Sequence, residues 1–420
     1  MRFFFSAGEP SGDIHAAALI EKIRELIPDA EFVGFGGTHM QQAGCQLLFE
    51  MTNLAFMGIV QVIANYFQFR NLLNNAKKYF RKNQVNAVIL IDYPGFNWHV
   101  ARAAKEQGIP VFYFMPPQLW SWASWRVRKM KKWVDWVLCP LPFEERWFKQ
   151  HGCQTVYIGH PFFEESRNKI ADSTFLENFY AQYGNAPILT LLPGSRTKEV
   201  KMNLDDMLLT VEYIRSLFPK IRPIFSPVSI SHAEYIQQRL TELEISIPIF
   251  VGHTQELIRA ADCCLAVSGS VSLELLACNK PTVIYYRVGI IPFLIQRFFR
   301  RTRYITLVNL LGIDRQLSVK GVKRAKTDKV ANKSPIFYDD STWIIPAEPS
   351  LEDRDRMFFP EFLTATNRSK DAAAYFIHWL SKPAHLATQK RSLAILLRNI
   401  DQIESPLGQA AQTILEKINQ

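Results

Sequence analysis

The sequence predicts an α/β protein built from two Rossmann-like domains, each with a parallel sheet and flanking helices. Three observations support this fold class. A chain of 420 residues is long for a single core and suits about two domains of the usual ~150–200 residues. Short apolar segments end in turns rich in Gly, Pro or Ser, and helical periodicity separates most of them. Strands that are apolar on both faces are typical of parallel sheets covered by helices on each side.

The first half begins with a strand, a turn and a helix. The predicted strand at 2–6 leads through a turn at 7–13 into a helix whose apolar residues recur at helical spacing. Further strands of this half are predicted at 31–37, which includes a glycine-rich exit, at 87–91 and at 111–114. This order indicates the first Rossmann-like domain.

The second half repeats the alternation. Its predicted strands lie at 188–192, 222–226, 247–251, 264–267 and 282–286. We therefore expect domains at 1–170 and 171–365, followed by a helical tail at 366–420. Because ligands of such sheets bind beyond the carboxyl ends of the strands, we expect the two domains to face each other across a cleft that holds the site.

The composition excludes several protein classes. Hydrophobic residues make up 48% of the chain and charged residues 21%, which excludes an intrinsically disordered chain. The six cysteines show neither a metal-ligand spacing nor a secreted disulfide framework, so we expect reduced, mostly buried thiols. The first residues form a predicted strand rather than a signal peptide, which favours the cytoplasm. No segment approaches the ~20 apolar residues that span a bilayer.

Two basic segments mix cations with large apolar side chains. They lie at 125–133 and 293–303, in a chain of formal net charge +10. This mixture suits an anionic lipid surface, but a solvated helix face with long apolar stems is an equal alternative. No known nucleic-acid-binding module accompanies the charge, so nucleic acid is not expected as a partner.

A small-residue turn between a strand and a helix is the strongest candidate for a nucleotide site. Ser268, Gly269 and Ser270 follow the strand at 264–267 and precede a helix. The free N–H groups at the start of that helix can hold a diphosphate, and Glu274, one turn further, would reach the ribose hydroxyls. The alternative is an ordinary packing turn, which is common in α/β proteins.

Two charged side chains follow other predicted strands. Asp92 follows the strand at 87–91, where a carboxylate can act as general base toward a hydroxyl acceptor; capping the next turn is its alternative role. Arg196 follows the strand at 188–192, where a guanidinium can pair with a departing diphosphate. An ordinary surface ion pair is the alternative for Arg196.

A second glycine-containing turn lies on the acceptor side. It includes Gly8, Gly12 and Asp13. The spacing Gly-x-x-x-Gly differs from the Gly-x-Gly-x-x-Gly fingerprint of dinucleotide-binding proteins, which argues against an oxidoreductase.

Taken in order, these motifs resemble the lipid-A-disaccharide synthase family, two-domain glycosyltransferases of the GT-B fold. The resemblance covers roughly residues 1–311, and the shared order of the motifs makes it specific. The segments that carry it are 6–13, 57–60, 91–97, 120–122, 141–144, 159–161, 192–196, 268–274 and 308–311.

The resemblance implies a reaction between two acylated sugars. A diacylated glucosamine would pass from UDP to the 6-hydroxyl of diacylglucosamine 1-phosphate, giving the β-1,6-linked disaccharide that precedes lipid A. Inversion fits a single displacement, with Asp92 as base and with Arg196 and the helix at Ser270 stabilising UDP. No metal or cofactor is expected, because these groups can neutralise the diphosphate.

The resemblance also assigns binding residues. Those expected for the nucleotide sugar are Gly194, Ser195, Ser268, Gly269, Ser270, Glu274 and Asn309. Those expected for the acceptor and its acyl chains are Gly8, Glu9, Ser11, Gly12, Asp13, Met57, Ile59 and Val60. The last three would form an apolar entrance for acyl chains, with buried core as an equal alternative.

The chain departs from the family pattern at several points. The second acid that often follows the Asp by three residues is replaced by Gly95, so Asp92 is expected to act alone. Val308 replaces a Pro, and Thr364 replaces the Gln of a Pro-Glu-Phe-Leu-Gln motif. An insertion near 315–357, basic at its start and acidic at its end, is either a lipid contact or inert.

The sequence also leads to expectations about where the protein resides and which other functions it could have. The protein should lie on the cytoplasmic face of the inner membrane as a peripheral protein, with a homodimer left open and the tail packed on the first domain. One alternative function is another GT-B activity on UDP-N-acetylglucosamine, either a peptidoglycan-type transferase or a 2-epimerase. The other is a non-catalytic lipid or nucleotide binder.

Overall fold

The computed structural model describes most of the chain as two compact units. The described residues are 1–52, 66–169, 171–267, 269, 271–290, 293, 304–312, 337–339, 342–344 and 357–420. The first unit contains 1–164 and 400–420, and the second contains 165–399. The helical tail is thus divided between the units near Ile400, whereas the sequence predicted one tail beginning at 366.

The first unit is built on a seven-stranded parallel sheet. Its strand order is β3-β2-β1-β4-β5-β6-β7, so the order reverses between β1 and β4. The strands are β1 Arg2–Ala7, β2 Glu31–Gly36, β3 Gln46–Glu50, β4 Ala87–Ile91, β5 Val111–Phe114, β6 Trp136–Cys139 and β7 Thr155–Tyr157.

Helices follow the strands of the first unit. The first helix begins at Pro10, whose fixed φ and missing N–H suit the first helical position, and it buries Leu19, Ile20 and Ile23 against the sheet. The helices are α1 Pro10–Leu26, α2 Thr38–Gln42, α3 Tyr66–Lys82, α4 Pro94–Lys105, α5 Leu119–Trp122, α6 Val127–Trp133, α7 Pro142–Gln150 and α8 Pro161–Asn168, with a 3₁₀ turn at Ser124–Arg126 and a final helix α17 at Pro406–Ile418.

The second unit contains a five-stranded parallel sheet of order β14-β11-β10-β8-β9. Its strands are β8 Ile188–Leu192, β9 Arg222–Phe225, β10 Cys263–Ala266, β11 Thr282–Arg287 and β14 Glu361–Thr364. Its helices are α9 Ser173–Tyr183, α10 Thr197–Leu217, α11 Ile230–Glu242, α12 Thr254–Ala260, α13 Val271–Ala277, α14 Leu307–Leu311, α15 Ser369–Ser381 and α16 Pro383–Ile400. A separate antiparallel pair joins β12 Phe337–Asp339 to β13 Thr342–Ile344.

The predicted class of two α/β domains with parallel sheets is confirmed. Four strands of the parallel sheets were not predicted, namely β3, β6, β7 and β14, and neither was the antiparallel pair of β12 and β13. The predicted strand at 247–251 is reduced to one bridge, in which Phe225 pairs with Ile249. Pro248 has no N–H to donate, so the ladder of hydrogen bonds cannot extend past it. Only the hydrogen bonds that flank the bridge between Phe225 and Ile249 form.

The end of the chain packs on the first unit. The hydroxyl of Tyr157 donates to the carbonyl of Ile400 (2.7 Å), and Ser405 donates to Glu164 (2.9 Å). Helix α17 adds Ala410, Ala411 and Ile414 to the core that α1 shares with the sheet. All six cysteines are free thiols, four of them buried. In the part of the chain that the structure describes, we find no helix suited to crossing a bilayer.

Candidate functional site

The loops after β1 and β4 lie side by side at the point where the strand order of the first sheet reverses. In open α/β sheets this switch point is the usual ligand site. A Cβ atom placed on Gly8 would lie 2.3 Å from Cγ of Tyr93, so the Tyr93 ring packs directly on the backbone of Gly8. The sequence-predicted residues Gly8, Glu9 and Asp92 therefore come together at one edge of the sheet.

The backbone at Asp92 is unusual. Asp92 and Tyr93 have φ values of 42° and 43°, a left-handed conformation that non-glycine residues rarely adopt. The carbonyl of Asp92 accepts hydrogen bonds from the hydroxyl of Tyr113 (2.6 Å) and from Nδ2 of Asn97 (2.8 Å). Such strain costs about 1–3 kcal/mol per residue and concentrates at functional sites.

The carboxyl groups of this edge are harder to ionise than ordinary ones. Burial raises the pKa of Asp92, and a hydrogen bond from the backbone N–H of Tyr93 partly opposes this shift. Burial also raises the pKa of Glu9, and the negative charge of Asp92 raises it further. The charge of Asp92 thus acts on Glu9, and the expectation that Asp92 is the only base stays a prediction.

The turn predicted at 7–13 is shorter than expected, because α1 already begins at Pro10. Ser11, Gly12 and Asp13 are therefore in the first turn of this helix. Asp13 is 2% exposed, and its carboxylate accepts hydrogen bonds from the backbone N–H groups of Gly37 (2.7 Å), His39 (3.0 Å) and Met40 (3.1 Å). Asp13, predicted to contact the acceptor, is instead occupied in joining α1 to the start of α2.

Gly95, where the resemblance led us to expect a second acid, lies in the first turn of α4. It is exposed, and a Cβ atom at this position would meet nothing within 4 Å. The fold therefore leaves room for a side chain here, and packing does not require the glycine.

The turn after β8 is organised by a residue that the sequence did not single out. One carboxylate oxygen of Glu199 accepts from the backbone N–H groups of Ser195 (3.1 Å) and Arg196 (3.2 Å). The other oxygen accepts from the Arg196 guanidinium (3.3 Å) and from the hydroxyl of Tyr286 (3.5 Å). Gly194 has a φ of 111°, and a Cβ atom there would lie 2.8 Å from Cβ of Glu199.

This arrangement is one half of a capping box at the start of α10, because Glu199 accepts from the N–H of the N-cap residue Arg196 but the guanidinium has no acceptor with which to return the bond. Its signal in the sequence was an acid three residues after the N-cap position. The side chain of Arg196 is 81% exposed, whereas that of Glu199 is 10% exposed. The guanidinium therefore lies in solvent while it is bonded to a mostly buried carboxylate. Arg196 is therefore free to meet an anionic ligand.

Glu274 lies in the first turn of α13, beyond the carboxyl end of β10. Burial is the largest cause that raises its pKa, with contributions from neighbouring Glu165 and Glu256. Gly269 is exposed and has nothing within 4 Å of its Cβ position. The remaining residues predicted for the nucleotide turn and the acyl entrance lie outside the described residues; they are Ser268, Ser270, Met57, Ile59 and Val60.

Asn309, predicted to contact the nucleotide sugar, is fully buried. Its Nδ2 donates to the carbonyl of Phe359 (2.7 Å) and to Glu361 (3.0 Å), and its Oδ1 accepts from the N–H of Phe359 (2.8 Å). Glu361 also accepts from the hydroxyl of Thr306 (2.6 Å). Asn309 therefore joins α14 to the start of β14, and both ends of its amide are engaged in bonds within the protein.

At the ends of β5 and β6 lies a buried carboxyl that pairs with no charged group in the described part of the chain. Glu144 is 2% exposed, and its Oε1 accepts a hydrogen bond from the indole of Trp120 (2.9 Å). Its Oε2 is buried and has no hydrogen-bond partner among the residues that the structure describes. Burial raises the pKa of Glu144 to about 8, so the side chain is mostly a neutral acid at pH 7. Among the described side chains, no group of three His, Cys, Asp or Glu residues is arranged to hold a metal ion.

Comparison with known sequences identifies close relatives. A family model described as lipid-A-disaccharide synthetase matches residues 3–334. A lipid-A-disaccharide synthase from Myxococcus xanthus is 32% identical over 311 residues, which cover 74% of this chain and 81% of that protein. One from Coxiella burnetii is 30% identical and covers 73% of this chain and 80% of that protein.

Comparison with solved structures supports the fold. The UDP-GlcNAc 2-epimerase from Neisseria meningitidis, solved with UDP-GlcNAc bound, has a TM-score of 0.56 at 11% identity, and the match covers 100% of both chains. A sucrose-phosphate synthase from Thermosynechococcus elongatus has a TM-score of 0.54 at 11% identity, covering 100% of this chain and 99% of that one. At such low identity the likeness concerns the fold alone, and it confirms the predicted GT-B class.

Proposed function

Because the chain belongs to the lipid-A-disaccharide synthetase family, we propose that it is an inverting glycosyltransferase acting on two acylated sugars. The donor is UDP-2,3-diacylglucosamine, and the acceptor is 2,3-diacylglucosamine 1-phosphate. The products are UDP and the β-1,6-linked disaccharide 1-phosphate. The observation that carries the proposal is the position of Asp92, a half-buried carboxyl at the switch point of the first sheet. The family model that matches residues 3–334 includes this position.

In this proposal the Asp92 edge binds the acceptor. The carboxylate takes the proton of the sugar 6-hydroxyl while the hydroxyl oxygen attacks the anomeric carbon of the donor. The bond from that carbon to the diphosphate breaks on the opposite side, so the configuration inverts. The raised pKa of Asp92 supports the role, because a stronger base takes a hydroxyl proton more readily.

The second unit binds the donor. The exposed guanidinium of Arg196, anchored by Glu199, pairs with the negative charge that develops on departing UDP. Glu274, in the first turn of α13, accepts hydrogen bonds from the ribose hydroxyls. It suits that role because the described residues include no hydrogen-bond donor to its carboxylate.

The sequence left open a 2-epimerase or a peptidoglycan-type transferase. The solved 2-epimerase that resembles this chain shares only its fold, at 11% identity, whereas synthases from two bacteria share 30% and 32%. Family membership therefore favours the disaccharide synthase over the alternatives.

We also propose that α6 and its neighbours bind an anionic membrane surface, where the acylated substrates reside. Trp125 is 58% exposed, and Lys129 and Lys132 lie 6.0 and 5.9 Å from the ring of Trp133. Burial lowers the pKa of His99 most, and the charge of Lys129 is the next largest cause. The positive field of α6 therefore extends to α4. Exposed aromatic and cationic side chains together suit lipid headgroups.

One assay tests the catalytic proposal. Purified protein is incubated in detergent with UDP-diacylglucosamine and diacylglucosamine 1-phosphate, and disaccharide and UDP are measured. We expect both products in equal amounts. Turnover of unacylated UDP-N-acetylglucosamine, without disaccharide at any detergent concentration, would reject the proposal.

The membrane proposal is tested separately by sedimentation with phosphatidylglycerol vesicles and with neutral phosphatidylcholine vesicles. We expect binding to the anionic vesicles alone and a loss of binding when Lys129 and Lys132 are changed together to Gln. The matched control changes Lys201 and Lys220 of the second unit to Gln. Equal binding by both double variants would contradict an α6 surface.

A further inference from the structure

The carbonyl of Asp92 is held from two sides. The Tyr113 hydroxyl of β5 donates to it at 2.6 Å, and Nδ2 of Asn97 in α4 donates to it at 2.8 Å. Both donor side chains are fully buried. Two buried side-chain donors restrain the direction of this carbonyl, because rotating the peptide plane would break the bond from the Tyr113 hydroxyl and the shortest bond that Nδ2 of Asn97 makes.

Asn97 also joins the ends of two strands. Its Oδ1 accepts from the hydroxyl of Ser6 (2.7 Å), and its Nδ2 lies near the carbonyls of Ser6 (3.2 Å) and Ile91 (3.1 Å). Ser6, next to the last residue of β1, and Ile91, the last residue of β4, thus bind the same amide group. The shortest of the three Nδ2 contacts is the one to Asp92.

Tyr113 adds a third strand to the same point. Burial raises the pKa of Tyr113 well above its ordinary value, so the hydroxyl keeps its proton and stays a donor over the working pH range. The three central strands of the sheet, β1, β4 and β5, therefore converge on the peptide group that follows Asp92.

We propose that Asn97 and Tyr113 are positioning residues that hold Asp92 in its left-handed conformation and thereby fix the direction of its carboxylate. The inference rests on the proposed role of Asp92 as base. Asp92 and Tyr93 both have positive φ, a conformation that side chains disfavour and that persists only where surrounding contacts impose it. Without the two donors, the loop relaxes and the carboxylate moves away from the acceptor hydroxyl.

The test compares two tyrosine-to-phenylalanine variants. Tyr113→Phe removes the hydrogen bond to the carbonyl of Asp92, and Tyr157→Phe removes a bond of the same kind, at 2.7 Å, to the carbonyl of Ile400 in the same unit. We expect Tyr113→Phe to lower kcat by about tenfold to a hundredfold with KM within about twofold, since small misplacements of a reacting group cost rate. We expect Tyr157→Phe to keep the wild-type kcat.

A second readout does not depend on activity. Hydrogen exchange measured by mass spectrometry should become faster in the peptide that contains residues 91–97 for Tyr113→Phe and for Asn97→Ala, and should stay unchanged there for Tyr157→Phe. Unchanged exchange in Tyr113→Phe, or equal kcat losses in the two tyrosine variants, would overturn the positioning role. If Asp92→Asn abolishes turnover while Tyr113→Phe is fully active, the positioning role fails and the base role stands; if Asp92→Asn is active, the base role fails.

Discussion

Burial and, after it, the negative charge of Asp92 raise the pKa of Glu9, although the two residues lie 83 positions apart in the sequence. They meet because β1 and β4 are adjacent parallel strands, and each residue follows the end of its strand. Half-buried carboxyl groups that interact release their protons in separate steps. The resemblance led us to expect a second acid where Gly95 stands; Glu9 is another carboxyl at this edge of the sheet.

The first prediction concerns this pair. In Asp92→Asn, we expect the pKa of Glu9 to fall, because the repelling charge is gone, yet to stay above its ordinary value, because burial is the larger cause. The pKa is measured by NMR titration of carboxyl-¹³C-labelled glutamate. Asp29→Asn, an exposed carboxyl of the same unit, is the control and should leave Glu9 unchanged. An identical Glu9 pKa in wild type and Asp92→Asn would show that the two groups do not interact.

The second prediction concerns turnover by the same variant. Asp92→Asn keeps the shape of the side chain and removes the base, so we expect kcat to fall by about 10²–10⁴. The donor side is unaffected, and the Kd for UDP, measured by calorimetry, should stay within about twofold of wild type. Asp29→Asn again provides the control. A variant that retains a third of the wild-type kcat would rule out the base role.

The third prediction concerns the ribose contact. Glu274→Gln replaces a carboxylate by an amide with a single acceptor oxygen, so we expect UDP to bind about tenfold to a hundredfold more weakly. The exposed Glu177 of α9 is the matched control, and Glu177→Gln should bind UDP normally. Calorimetry with UDP alone gives both values. If Glu274→Gln binds UDP as tightly as Glu177→Gln, Glu274 does not contact the ribose.

The fourth prediction concerns the bonds that Glu199 accepts at the start of α10. Glu199→Ala frees the N–H groups of Ser195 and Arg196 and releases the guanidinium. We expect a loss of about 1 kcal/mol in the free energy of unfolding and a clear rise in the Kd for UDP. Glu212→Ala, at an exposed position of the same helix, should change neither quantity. Loss of stability with normal UDP binding would limit Glu199 to a structural role.

Local sequence patterns were sufficient to predict which side chains reach the edges of the sheets. Asp92 directly follows a strand whose five residues are all buried, and an apolar run of this kind is visible in the sequence. Arg196 follows β8 after a short turn for the same reason. Since parallel strands place their carboxyl ends together, these positions indicated candidate site residues before any contact was known.

Long-range partners could not be predicted in this way. Asp13 and Asn309 carry side chains suited to ligand binding, yet their hydrogen-bond partners lie 24–27 and 50–52 residues away in sequence. Tyr113 is 21 residues from the carbonyl that it fixes. Whether a polar side chain is already satisfied depends on which elements pack beside it, and no local periodicity encodes that.

The fifth prediction concerns the buried acid Glu144. Burial raises its pKa from the ordinary 4.5 to about 8, so the folded protein binds this proton more tightly than the unfolded chain does. The resulting stabilisation is fully present below pH 4.5 and is lost as the pH rises through about 8. Glu144→Gln imitates the protonated acid and can still accept the indole hydrogen bond of Trp120.

We therefore expect the melting temperature of Glu144→Gln to approach or exceed that of wild type as the pH is raised from 6 to 8.5. The gap, which is the melting temperature of the variant minus that of wild type, should increase steadily over this range. Thermal unfolding at several pH values measures this gap. Glu145→Gln, at the next position, is the control, and its difference from wild type should not follow the same course. If this gap does not depend on pH, Glu144 is ionised in the folded protein throughout the range. The lack of a hydrogen-bond partner for its Oε2 among the described residues would then need another explanation.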